Sequence, residues 1–148
     1  MPYFNGPSLS AFIGSGTVAP CRFVMYSTAV ASSAANPGHG NYADFLVQAC
    51  ASGGTPCGIS EQGQQLPPTD ENYGTTTWAN GQLIGIYGVG RTTLLELGST
   101  VTAGTALSAA SDNSGKGVPC LGSAYPIGAI AKQGGVSGDL VQVVVEIN

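Results

Sequence analysis

Val18-Ala19-Pro20-Cys21-Arg22-Phe23-Val24 and Val101-Thr102-Ala103-Gly104-Thr105-Ala106-Leu107 are one stretch written twice, with drift. Two further blocks recur in the same order. Pro56-Cys57-Gly58-Ile59 returns as Pro126-Ile127-Gly128-Ala129, each followed by Gln-Gly (Gln62-Gly63, Gln133-Gly134). Gly81-Gln82-Leu83-Ile84-Gly85-Ile86 returns as Gly138-Asp139-Leu140-Val141-Gln142-Val143. The offset between copies falls from 83 to 70 to 57 residues, so the first copy carries two insertions of 13 residues. The blocks hold small and apolar residues, with no shared set of reactive side chains. They predict two copies of one β unit, repeat one over about 17–90 and repeat two over about 98–148, sharing or adjoining a core.

The rest of the chain reads outward from those blocks. Residues 17–28, 45–50, 56–60, 83–89, 92–97, 106–110, 127–131 and 140–147 are short runs rich in β-branched and apolar residues, bounded by Gly, Pro, Asn and Ser. About ten short strands with turn signals between them predict an all-β sandwich or barrel. Residues 41–48 are the one helix candidate, and strand is favoured there from Phe45 onward. The first insertion holds the turn-forming Asn36-Pro37-Gly38-His39-Gly40-Asn41, and the second holds Pro67-Pro68 and Trp78. Residues 1–16 place Tyr3, Phe4, Phe12 and Ile13 among Gly, Pro and Ser without helical period, which predicts an extended N-terminal arm, with an ordinary first strand covering its own core as the alternative. Residues 17–148 are then a single β domain.

Composition narrows the function classes. Only 8% of the 148 residues are charged, against about a quarter in an ordinary domain. So little charge suits a subunit whose surface is covered by neighbours. The four cations, Arg22, Arg91, Lys116 and Lys132, are scattered in a chain of net charge −4, which disfavours nucleic acid as a partner. No apolar run approaches the ~20 residues that cross a bilayer, and no basic amphipathic stretch suits a membrane surface. The start of the chain lacks the basic and continuous apolar segments of a secretory signal, which predicts synthesis in the cytoplasm. Cys21, Cys50, Cys57 and Cys120 have no zinc spacing and read as buried free thiols, with a Cys50–Cys57 bridge as the alternative.

No constellation for catalysis, cofactor or metal emerges. His39 and Asp44 are the one neighbouring His–carboxylate pair, with Ser32 or Cys50 as conceivable nucleophiles, but His39 sits between two glycines in a loop. Asp70, Glu71 and Asp112 lack calcium-loop spacing. Gly85-Ile86-Tyr87-Gly88-Val89-Gly90 lacks the Gly-Lys-Ser ending of a phosphate loop. The expected contact residues are therefore aromatic and apolar: Tyr3, Phe4, Phe12 and Ile13 in the arm, and Tyr42, Tyr73 and Trp78 in the insertions.

Val-x-Ala-Gly-Thr-x-Leu (101–107), Pro-Ile-Gly-x-Ile-Ala (126–131) and Gly-Asp-Leu-Val-x-Val (138–143) together resemble the small β-rich decoration, or cement, proteins of tailed-phage capsids. The resemblance covers residues 14–147 in two copies. It implies a β-tulip or barrel fold, often with an extended arm. It implies a virion protein on the capsid exterior that staples the major capsid protein lattice, commonly as a homotrimer and sometimes as a dimer. The two insertions depart from the pattern. The alternative expectation is a carbohydrate-binding or adhesin-like β module that presents Tyr73 and Trp78 on loops.

Overall fold

The computed structural model describes residues 9–27, 46–62 and 77–147, and these are all-β. The strands are β1 (Leu9–Ile13), β2 (Phe23–Tyr26), β3 (Leu46–Ala49), β4 (Gly58–Ser60), β5 (Leu83–Tyr87), β6 (Thr92–Glu96), β7 (Ala106–Ala109), β8 (Gly117–Pro119), β9 (Ala129–Ala131) and β10 (Leu140–Val145). They form two units. The first is a closed barrel in the order β1-β3-β2-β4-β5, and the second is a sheet in the order β6-β10-β9-β7-β8.

Neighbour by neighbour, β1 to β5 occupy the places of β6 to β10. The registers agree as well. Phe12 pairs with Leu83 and Glu96 with Leu140; Leu9 pairs with Ile86 and Thr93 with Val143. Because strand side chains alternate between faces, this sets Ala11 and Ile13 against Leu95 and Leu97, and all four are buried. The middle block needs a correction of one residue. Val24 faces Gly58 and Leu107 faces Ala129, so the counterpart of Gly58 is Ala129 and not Gly128. A slip of one place would turn β9 inside out. The connection from β8 to β9 (residues 120–128) is one residue longer than that from β3 to β4 (residues 50–57), and block matching without pairing partners misses it.

Two more differences from the sequence reading concern ends. Leu9–Ile13 is a strand of the first barrel, antiparallel to β5 and parallel to β3, although it lies within the stretch expected to be an arm. Its alternation (Ala11 and Ile13 buried) is too short to register against the surrounding Gly and Pro. Gly117–Pro119 is a strand too; it pairs with β7 through Leu107↔Pro119, Ser108↔Val118 and Ala109↔Gly117. Its three residues carry no β signature of their own, and Pro119 is tolerated because beyond Gly117 the strand pairs with β7 alone.

The seam between β1 and β3, matched by that between β6 and β8, distinguishes the units. In the first, β1 and β3 pair in parallel, and Gly14 N–H donates to the Val47 carbonyl at 2.9 Å. In the second, the same closure is a single parallel bridge, Leu97↔Gly117, with Gly98 N–H donating to the Gly117 carbonyl at 2.8 Å. Beyond that bridge the gap is filled from the first unit. Glu96 N–H donates to the Cys21 carbonyl at 2.9 Å, and Phe23 N–H donates to the Gly115 carbonyl at 2.7 Å. Residues 21–23 thus bridge β6 to Gly115, two residues ahead of β8. Cys21 takes φ 57 to do so, and Gly104 at the matching place has φ 86. That conformation costs a non-glycine residue about 1 kcal/mol, so the surrounding bonds must hold Cys21 in it.

The cores follow the seam. Val18, Val24, Val47, Trp78, Ile84 and Ile86 fill the first barrel. Leu95, Leu97, Leu107, Val141, Val143 and Val145 fill the second, together with Phe23, Cys50, Ile59 and Tyr87 from the first unit. Phe23 and Val24 are adjacent and both fully buried. Adjacent strand residues point to opposite faces, so β2 is covered on both sides: Val24 by its own barrel, Phe23 by the neighbouring unit. Gly128 lies under the Phe23 ring, where a Cβ would stand 2.5 Å from Cε1. This glycine is required by close approach.

Candidate functional site

Each expected contact residue has a definite place or lies outside the described residues. Tyr3, Phe4, Tyr42 and Tyr73 lie outside them, as do His39 and Asp44. Phe12 is half-buried on the outer face of β1. Ile13 and Trp78 are corrections. Ile13 is 1% exposed and Trp78 5%, both in the first barrel's core. Trp78 is fixed there by mutual backbone hydrogen bonds with Val18 at 2.9 Å. An indole so enclosed cannot stack on a sugar or anchor a partner. Its neighbours Thr77 and Ala79 are exposed, so the sequence around it looks like loop.

All four cysteines are free thiols; Cys21, Cys50 and Cys57 are buried. Burial pushes Cys21 up to about 11, with the Glu96 carboxylate adding to it. Burial likewise pushes Cys50 up to about 12 and Cys57 up to about 11. These thiols stay protonated near neutral pH, which removes Cys50 as a nucleophile.

Polar side chains converge at the seam. Glu96 Oε2 lies 3.3 Å from Arg22 Nη2 and 3.3 Å from Lys116 Nζ. Arg22 Nη1 donates to the Ser114 carbonyl at 3.0 Å, and Arg22 N–H donates to Ser60 Oγ at 3.0 Å. The Ser60 hydroxyl in turn donates to the Ala19 carbonyl at 2.7 Å. Arg22 Nε is buried with no partner among the described residues. The charged side chains are 16% to 29% exposed, so solvent screens them and each pair contributes about 1 kcal/mol or less. Of the chain's four cations, Arg22 thus pairs across the units, while Lys116 pairs with Glu96 inside the second.

A cavity of about 400 Å³ opens on the second unit beside β7 and β8. Leu107 is a core residue, so its neighbour Ser108 takes the opposite, outer face of β7 and meets Val118 of β8 there. Both line the cavity. The exposed Leu121 and Tyr125 line its mouth, and Asp112 and Lys116 line it as well. The loop carrying the rim is internally tied. Cys120 Sγ lies 3.4 Å from the Gly122 carbonyl and 3.2 Å from the Tyr125 carbonyl, so its one S–H donates to one or is shared between them, and Tyr125 N–H donates to the Gly122 carbonyl at 3.0 Å. Asp112 Oδ1 accepts the Ser114 hydroxyl at 2.5 Å and the Ser114 N–H at 3.0 Å. Those two bonds hold the Asp112 carboxyl below the usual carboxylate range. Leu121 is 81% exposed, the most open large apolar residue described. The sequence reading missed this rim, although Leu121-Gly122-Ser123-Ala124-Tyr125 between Pro119 and Pro126 is a large apolar pair inside turn chemistry.

The fold is similar to that of the N base of head fiber gp8.5 of bacteriophage phi29, with TM-score 0.62 and 16% identity over 93% of this chain and 92% of that chain. At this identity the likeness establishes a shared fold. No family model matches the chain, and no curated protein matches it in sequence. An alignment over 93% of the chain takes in both units together with the seam. The shared architecture is therefore the pair, and neither unit alone.

Proposed function

We propose that this chain is a virion structural protein that attaches to the outside of an assembled phage head and stabilises contacts between major capsid subunits. The observation that carries this reading is the near end-to-end fold likeness to the base of a phage head fiber. Two features of the chain support it. The surface is poor in charge, as suits a protein partly covered by neighbours. The two units, which we read as diverged copies of one ancestor, are tied to each other by residues 21–23 and by Glu96. A rigid body of this kind loses little conformational freedom on docking.

In this reading the protein is a non-catalytic clamp without cofactor. It binds the assembled lattice and so shifts the assembly equilibrium toward it. A homotrimer engages three sites at once, which slows release. The N-terminal residues with Tyr3 and Phe4, and the inserted segments with Tyr42 and Tyr73, are the contact elements. A second reading, the seat of a longer fiber, is favoured by what the matched chain is called.

The test is co-sedimentation of purified protein with heads that lack it, alongside its mass by light scattering. Saturable pelleting in multiples of the solution oligomer is expected. Deleting residues 1–8 should weaken pelleting while leaving the circular dichroism spectrum unchanged; a cut further in would remove β1. Full-length protein that stays in the supernatant at every concentration rules out the attachment.

A further inference from the structure

We propose that the cavity beside β7 and β8 binds one neutral sugar unit of a surface glycan. Its volume, about 400 Å³, lies in the range of roughly 300–1,000 Å³ typical of small-molecule sites. Its lining alternates hydroxyls with apolar surface. Ser108, 3% exposed, stands at its floor, and Ser111 and Ser137 contribute further hydroxyls. Tyr125, 38% exposed, and Leu121 offer an apolar rim at the mouth. A pyranose has the same duality, with a C–H face for an aromatic plate and hydroxyls that both donate and accept.

The charges decide against an ionic ligand. Lys116 is held by Glu96, and Asp112 by two bonds from Ser114. The two charged residues of the lining are of opposite sign, so an anion or cation would meet no net counter-charge there. The loop that carries Leu121 and Tyr125 is held by its own bonds before binding, from Tyr125 N–H to the Gly122 carbonyl and from the Cys120 thiol, whose single proton faces the Gly122 and Tyr125 carbonyls. Preorganisation lowers the entropy cost for a ligand of few atoms. The site is distinct from the expected contact residues and does not depend on head attachment.

The experiment is a titration of the ¹⁵N-labelled full chain with glucose, galactose and N-acetylglucosamine, read by amide shifts. At least one sugar should move the amides of Ser108, Lys116, Leu121 and Tyr125 saturably, with millimolar affinity. Tyr125→Ala should weaken that response about tenfold. Ser108→Ala should weaken it less, and both variants should keep the wild-type melting temperature. No saturable shift with any of the three sugars, or shifts confined to other surfaces, overturns the proposal. So does an undiminished response in a folded Tyr125→Ala protein. Protection of the same amides by heads, with no response to sugar, assigns the rim to protein contact and overturns it too.

Discussion

The first unit closes on itself, whereas the second closes only with help. β1 and β3 complete the first barrel by two registered pairs, while β6 and β8 share one bridge and leave the remaining gap to residues 21–23. Strand order and register are otherwise matched. The difference shows how two units of matching topology come to depend on one another. An unpaired strand edge is a cost that must be covered, and here the neighbouring unit covers it. Phe23 enters with the inserted backbone and is buried in the second core, so edge pairing and apolar burial occur together.

The strongest way to break this comparison is Phe23→Ala. It removes a fully buried ring at the junction and should cost about 3–5 kcal/mol by urea unfolding, in a single transition. Two resolved transitions in the wild type, or a cost under about 1 kcal/mol for the variant, would mean that the second unit stands alone.

Alkaline titration sharpens the contrast between the units. The three thiols pushed up to about 11 or 12, from an ordinary 9.0, all belong to the first unit. Each folded-state value lies above the unfolded one, so the unfolded chain releases its protons first. Stability is then full below pH 9.0 and falls as pH rises toward 11. The loss should be roughly 1 kcal/mol per thiol per pH unit, followed as the melting temperature. Cys50→Ala with Cys57→Ala should flatten most of that slope; an unchanged slope would place its origin elsewhere.

The smallest effect belongs to the seam charges. Glu96→Gln keeps the backbone donor to Cys21 and removes the carboxylate between Arg22 and Lys116. It should cost about 1 kcal/mol or less at low salt, and less again at high salt. A cost of several kcal/mol, independent of salt, would make Glu96 a principal tie between the units.

Much of this architecture is legible before folding. Short runs of β-branched and apolar residues such as 140–145 and 92–96, bounded by Gly, announce strands, because such residues suit a pleated, half-buried surface. The triple block match announces two units in one order. Trp78 was misread because its local sequence is that of a loop; only pairing with Val18 encloses it. Leu121 and Tyr125 were passed over because exposure is a property of what fails to pack above a residue, which no spacing encodes.

The chain's own order of residues therefore determined the all-β class, the doubled unit and the poverty of charge. These follow from side-chain alternation, turn chemistry and composition, which are local or additive. Tertiary structure alone decided that Leu9–Ile13 belongs to a barrel, that β9 pairs one residue beyond its apparent match, and that residues 21–23 complete the second unit. Those outcomes depend on which distant backbone donor meets which acceptor, and a linear pattern holds no record of that.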